Sequence, residues 1–224
     1  MNGYEALIAT LALTMGTSWA SGINLYAVML VLGIGGATDN IHLPAELIVL
    51  ENPLVIGAAV LMYVIQFFVD KVPGLDSAWD TLHTFVRIPA GAMLAAGMVG
   101  DVSPALEIAA GILGGGTAAT SHATKTGTRL MINTSPEPVT NWSASISEDV
   151  LVIGGLWTAL NHPALFLVLF IIFIGLAIWL LPKLWYLIKE VLLKIGRFFG
   201  IAKHNVIETS HAAVPGTETN KPGK

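Results

Sequence analysis

From Pro163 to Leu181 the chain reads PALFLVLFIIFIGLAIWLL, with no charged side chain. A helix rises about 1.5 Å per residue and the hydrocarbon core of a bilayer is about 30 Å thick, so this stretch nearly crosses a membrane by itself. Such a helix is apolar on every side and has no face to turn to water. The whole sequence of 224 residues agrees, with 54% hydrophobic and 12% charged side chains and a mean hydropathy of +0.71. A soluble domain carries about 25% charged residues, and 11 Lys and Arg with 15 Asp and Glu are too few to coat a globule of this length. The same composition excludes a disordered body. A net charge of −4 argues against nucleic acid as a partner. With no Cys, thiol catalysis, disulfides and Cys-ligated metals are excluded.

Further apolar segments run over 6–36, 53–69, 76–100 and 105–132. Residues 151–160 are a half-span or the start of a helix hairpin with 163–181. The expectation is an all-α integral membrane protein with six membrane-embedded segments in a transmembrane domain over 1–203. Lys183, Lys189, Lys194, Arg197 and Lys203 follow the last span, whereas 37–52 carries Asp39, Glu46 and Glu51. The positive-inside rule then places the C-terminus in the cytoplasm, and six crossings bring the N-terminus there too. The setting expected is a bacterial inner (plasma) membrane. No Lys or Arg precedes the first segment, so Met1 to Glu5 is read as a mature start rather than a signal peptide. Lys183, Glu190, Lys194 and Arg197 share a helical face, which predicts an interfacial amphipathic helix over about 183–200. Residues 204–224 read as a flexible cytoplasmic tail.

The sequence matches itself. Leu13, Gly16, Thr17 and Ser21 recur as Leu113, Gly116, Thr117 and Ser121, and Glu51-x-x-Leu54-Val55-Ile56-Gly57 recurs as Glu148-x-x-Leu151-Val152-Ile153-Gly154. The blocks keep their order, which predicts halves at about 4–100 and 101–203. Three spans per half make the second half enter from the opposite side, as an inverted 3+3 repeat. In both copies Gly, Ser and Thr sit mid-segment. Gly weakens a helix, and unpaired backbone survives in lipid only when buried in protein or facing a water-filled cavity. Two broken or re-entrant helices are therefore expected, at about 16–24 and 114–124, against the alternative of continuous helices packed through small residues such as Gly111 and Gly115.

Polar residues fall in stripes. Asp76, Asp80, His83 and Arg87 are spaced four, three and four apart, and His122, Lys125 and Arg129 three and four, so each set lies on one helix face. The simplest accounting sets Asp76 and Asp80 against Lys125 and Arg129. Charge within a membrane span is costly and marks a functional site by default. Surplus positive charge on Arg87, Lys125 and Arg129 would hold an anion, Arg offering a planar fork of donors, and Asp80 with His83 would carry a proton. Ser18, Ser21, Asn24, Thr117, Ser121 and His122 would line a central site where the broken helices cross. Asp70 and Asp101 are read as solvated span ends, Trp79 as an interfacial anchor, and His42 and His162 as loop residues. No catalytic residue, cofactor or metal site is expected, because no His-x-x-x-His pair or phosphate loop occurs.

SGINLYAVMLVLG (21–33), VDKVPGLDSAWDTLHTFVRIPAGAMLAAG (69–97) and SHATKTGTRL (121–130) resemble the bacterial integral membrane proteins grouped as domain of unknown function 4126, over roughly residues 4 to 182. That resemblance implies a compact multi-span inner-membrane protein and no catalytic residues. The residues themselves lead to a small transporter or lipid-headgroup translocase for an anionic solute or lipid phosphate, with Asp80 and His83 placed for proton coupling. The alternative is a scaffold or assembly subunit in which the charges lock helices and small-residue surfaces such as Ala92-x-x-x-Ala96 meet a partner protein. Membrane lipids are the expected surroundings, and a homo-oligomer is compatible with either reading.

Overall fold

The computed structural model describes residues 3–100, 102–134 and 138–198. Asp101 and the 204–224 tail lie outside the described residues, as do the side chains of Lys194 and Arg197. Among the described residues the chain is all helical: α1 (Gly3–Ala37), a short 3-10 helix (Ala45–Glu51), α2 (Pro53–Val69), α3 (Leu75–Val99), α4 (Pro104–Ile132), α5 (Pro138–Asn161) and α6 (Pro163–Phe198). Met1–Ile188 form one compact unit, and Lys189–Lys224 a second whose described part is helical. Among the described residues three helices are long and apolar enough to cross a membrane, α1, α3 and α6 through Leu187, or four if the pair formed by the 3-10 helix and α2, bent by 66°, is counted as one. The bend is built by Asn52, whose Oδ1 accepts from Leu54 N–H at 2.9 Å, and by Pro53 at the first helical position.

α1 is the core element and α6 the rim: 67% of the most apolar window of α1 is buried, but 11% of that of α6. Exposed Leu165, Ile171, Ile172, Ile178 and Trp179 on α6 suit a lipid neighbour. α1 is broken at Asn24, whose backbone is extended at φ −146°, ψ 91°, as expected for the first copy. The Asn24 Oδ1 accepts from Ala27 N–H at 3.1 Å, so this side chain caps the second limb. Ser18 Oγ donates to Gly91 O and Ser21 Oγ to Arg87 O, so the first limb descends toward the start of α3. The second limb ends with Gly33 and Gly36 against Leu50 and Glu51, while Leu47 of the same 3-10 helix covers Gly97 at the far end of α3. The chain therefore doubles back at Asn24, level with the middle of α3.

α4 differs from expectation. It runs unbroken through 114–124 from a Ser103 N-cap and Pro104. Thr120, Thr124 and Thr128 each donate to the carbonyl four residues back, and the glycines serve as packing notches. Gly114 lies against Ala95 and Ser18, and Gly111 and Gly115 against Ala92 and Ala96 of α3. The Ala92 and Ala96 surface thus packs within the chain, in the most extensive helix contact of the fold. Tight packing at these notches outweighs the weak helix propensity of Gly.

α5 is longer than the 151–160 core suggested, and it forms the hairpin with α6. Gly16 meets both Ala159 and Phe166, whereas Gly127 meets Leu184 further along α6. The α2–α3 turn at 70–74, the end of α4 and the start of α5 share one end of the bundle. The 3-10 helix, the end of α3 and the His162 corner share the other.

At Gly22 α1 and α4 approach closely, since a Cβ there would collide with Ser121 Oγ and Ala118 O. Gly22→Ala should lower stability by about 1–3 kcal/mol. Gly116→Ala, which would meet nothing within 4 Å, should be neutral or stabilise by up to about 1 kcal/mol. Thermal unfolding in detergent compares the two.

Candidate functional site: a buried ionic column and a lateral groove

A helix broken in mid-bundle exposes the carbonyls of its last turn. In α1 these are taken by α4: Ser121 Oγ donates to Trp19 O at 2.8 Å, His122 Nδ1 to Gly22 O at 3.2 Å and Lys125 Nζ to Ile23 O at 3.2 Å. Asn24 Nδ2 donates to Asp149 on α5 at 2.9 Å. The side chains that seal the break are thus the first members of an ionic network.

Lys125 Nζ lies 3.3 Å from Asp70 Oδ2, 3.6 Å from Asp80 Oδ1 and 3.2 Å from Glu148 Oε2. Arg129 presents its fork to Glu148, Nε to Oε1 and Nη2 to Oε2 both at 2.9 Å. Its Nη1 donates to Asp70 O at 3.1 Å and stands 3.9 Å from Asp76 Oδ2. Arg87 Nη1 donates to Asp80 Oδ1 at 2.8 Å and Nη2 to Gln66 Oε1 at 3.1 Å. Asp76, Asp80, Arg87 and Arg129 are fully buried. Lys71, in the α2–α3 turn, donates to Phe67 O and lies over the Phe67 ring. Burial pushes its pKa below the ordinary lysine value, against the pull of Asp149 and Asp70.

The network is a column rather than a point. Asp76 opens α3, and Arg87 sits about 18 Å along a helix about 37 Å long. Charges near the bundle end cost less than those at mid-depth, and the column grades from one to the other. Within it Asp70, Asp76, Asp80, Glu148 and Asp149 face Lys71, Arg87, Lys125 and Arg129, so the surplus of positive charge expected from α3 and α4 alone does not arise. Asp70 is buried at 4% exposure and bridges to Lys125, a correction to its reading as a solvated span end. Asp70 Oδ1 and Asp80 Oδ2 have no hydrogen-bond partner among the described residues.

Above the column a groove of about 590 Å³ opens between α4, α5 and α6. Its walls are Leu151, Gly154, Phe166, Leu169, Phe170 and Phe173, with Trp19 behind them, and its polar end is Ser121, Thr124, Lys125, Thr128 and Glu148. Leu151, Thr128 and Leu169 are exposed, so the groove opens sideways, where lipid would lie.

The stripes of α3 and α4 meet as their spacing implies, with Lys125 on Asp80 and Arg129 on Asp76. His122 also lies here, Nε2 2.7 Å from Thr84 Oγ1 and Nδ1 3.4 Å from Arg87. Of the residues expected to line a central site, Ser121 faces the groove. Ser18 and Ser21 bind α3 carbonyls, Asn24 caps the break, and Thr117 contacts Met15 Sδ at 4.0 Å. His83 holds Trp79 O through Nδ1 at 2.9 Å and the Tyr26 hydroxyl through Nε2 at 3.0 Å, stacked on Trp79. His42 and His162 lie between helices as expected. Among the described residues no group of His, Asp and Glu is arranged to hold a metal. Sequence reasoning passed over Gln66, Asn141, Glu148 and Asp149. A signal existed, since Asn141, Ser145 and Glu148 recur at four and three on one face of α5.

Neither a curated protein nor a solved structure matches the chain. Residues 11–183, from α1 into α6 and well over half of the sequence, match the family described as Domain of unknown function (DUF4126), and the chain belongs to that family.

Proposed function

We propose that this chain is a small membrane transporter or lipid-headgroup translocase, acting on an anionic group such as a lipid phosphate with coupling to protons. One observation carries the reading: the ionic column reaches mid-depth and meets the sideways-opening groove at Lys125 and Glu148. A column serving packing alone has no need of an edge on a cavity. Asp80 Oδ2 has no hydrogen-bond partner among the described residues and is free to take a proton. Doing so neutralises the carboxyl and turns its ion pairs with Arg87 and Lys125 into contacts with a neutral group, which links a proton on Asp80 to the charge balance of the column. His83 belongs to a separate hydrogen-bonded set with Tyr26 and Trp79 and supports a proton role less.

The six embedded segments are read as five crossings, α2 to α6, with α1 dipping in and returning. The α2–α3 hairpin closes at the ionic end and the α5–α6 hairpin at the opposite end, which is the relation an inverted repeat requires. α1 and α4 depart from that symmetry. A returning α1 also changes the parity of the chain. With Lys71, Arg129 and Lys183 marking the cytoplasmic side of an inner membrane, the start of α1 falls on the other side, in place of the expectation that both termini are cytoplasmic.

A scaffold is the second reading, favoured by the complete burial and mutual pairing of Asp80 and Arg87. Arg87→Met alone should cost up to about 3–5 kcal/mol by leaving buried Asp80 with Lys125 as its remaining counter-ion, and Asp80→Leu with Arg87→Met should recover most of that. A scaffold keeps its role in the recovered double variant, whereas a transporter loses proton-linked flux although folded.

Gly154→Phe separates the readings further. A side chain at Gly154 meets nothing within 4 Å and projects into the groove. In proteoliposomes the variant should melt as the wild type does and translocate a fluorescent lipid phosphate at least tenfold more slowly. Unchanged translocation would remove the groove as the route.

A further inference from the structure

Glu148 stands apart from the other acids of the column. Its side chain is 15% exposed where those of Asp76 and Asp80 are 0%, and it lines the groove. Both of its oxygens are engaged, by the Arg129 fork and by Lys125. Two parallel N–H donors with an ammonium beside them are also the arrangement that binds phosphate. We propose that Glu148 is an internal counter-ion occupying the site of a phosphate monoester headgroup, whose hydrocarbon chain lies in the groove between α4, α5 and α6. This rests on the transport reading above and names the ligand of that same site.

Charge balance sets the terms of exchange. Glu148 is faced by Lys125 and Arg129 of α4 and, across them, by Asp76 and Asp80 of α3 and Asp70 and Lys71 of the α2–α3 turn, with Asp149 beside it on α5. α1 and α6 bring uncharged groups, Trp19 and Ile23 from one and Phe166, Leu169, Phe170 and Phe173 from the other. A phosphate arriving while Glu148 stays ionised adds anion to a cluster already short of cations. Protonated, Glu148 releases the Arg129 fork and one Lys125 contact, and four carboxylates then face four cations. Headgroup and proton therefore bind together, the proton on the Glu148 carboxyl and the phosphate oxygens on Arg129 and Lys125. The apolar length of the groove selects an amphiphile over free phosphate.

The test is binding of phosphatidate with brominated chains, read by tryptophan quenching of the full chain in phosphatidylcholine nanodiscs. Wild type should bind more tightly as pH falls, by up to about tenfold per pH unit for one linked proton. Glu148→Gln should bind at every pH as the wild type does at low pH. Gly154→Phe, which keeps the ion pairs, should lose phosphatidate binding. Inorganic phosphate should compete weakly, and brominated phosphatidylcholine should not quench specifically. The inference is overturned if Glu148→Gln keeps the wild-type pH dependence, if Gly154→Phe binds phosphatidate normally, or if inorganic phosphate binds as tightly as the lipid. Phosphatidate binding as described without translocation in vesicles would overturn the transport reading and leave the site standing. Translocation with pH-dependent binding in Glu148→Gln would do the reverse.

Discussion

Lipid offers no hydrogen bonds, so a helix can turn back inside a membrane only if something takes its open carbonyls. In this protein that something is a single face of α4. Ser121, His122 and Lys125 reach Trp19, Gly22 and Ile23 on the last turn of the first limb, while Asn24 caps the second limb with its own side chain. The approach is close because Gly22 leaves room for Ser121 and Ala118. A lysine used in this way carries its charge to mid-bundle, and the rest of the column follows from that. Asp70, Asp80 and Glu148 surround its ammonium, and their own charges draw in Arg87 and Arg129.

Stability alone does not account for this arrangement. Replacing a buried ion pair by well-packed apolar groups is often neutral or stabilising by about 1–4 kcal/mol, whereas deleting one partner is costly. Interhelical hydrogen bonds in membranes average only about 0.6 kcal/mol. A network that gives so little net stability and must be complete to be tolerated fixes one geometry. It sets the register of α2, α3, α4 and α5 against one another at the end where they meet, and leaves Glu148 at its edge, the one acid of the column with access to the groove.

Much of this was legible in the sequence, for reasons that differ by element. The stripes of α3 and α4 could be paired because helical spacing fixes which residues share a face, and the antiparallel contact of the two helices does the rest. The break in α1 was legible because Asn24 follows a run of Gly and Ser and supplies the capping group itself. The same composition in α4 marks close packing instead. There the notch-forming Gly114 faces Ala95 and the threonines fold back on their own carbonyls. Local sequence does not distinguish a glycine that lets a chain turn from one that lets a neighbour approach.

Asp70 and Glu148 were missed for a different physical reason. Each sits at the margin of an apolar segment, where a carboxylate would be solvated if the helix stood alone. What buries them is the arrival of Lys125 and Arg129 from a helix more than fifty residues away from Asp70 and about twenty from Glu148. The charge balance of a site is a property of every helix that meets there, and the stripes of two helices gave it the wrong sign. Once Glu148 and its neighbour Asp149 are counted, acids outnumber cations in the column, so an anion of the proposed kind enters by replacing an anion. On the proposed reading the basic stripe then acts as an exchanger rather than a passive trap, and phosphate binding at Arg129 is tied to the fate of one proton.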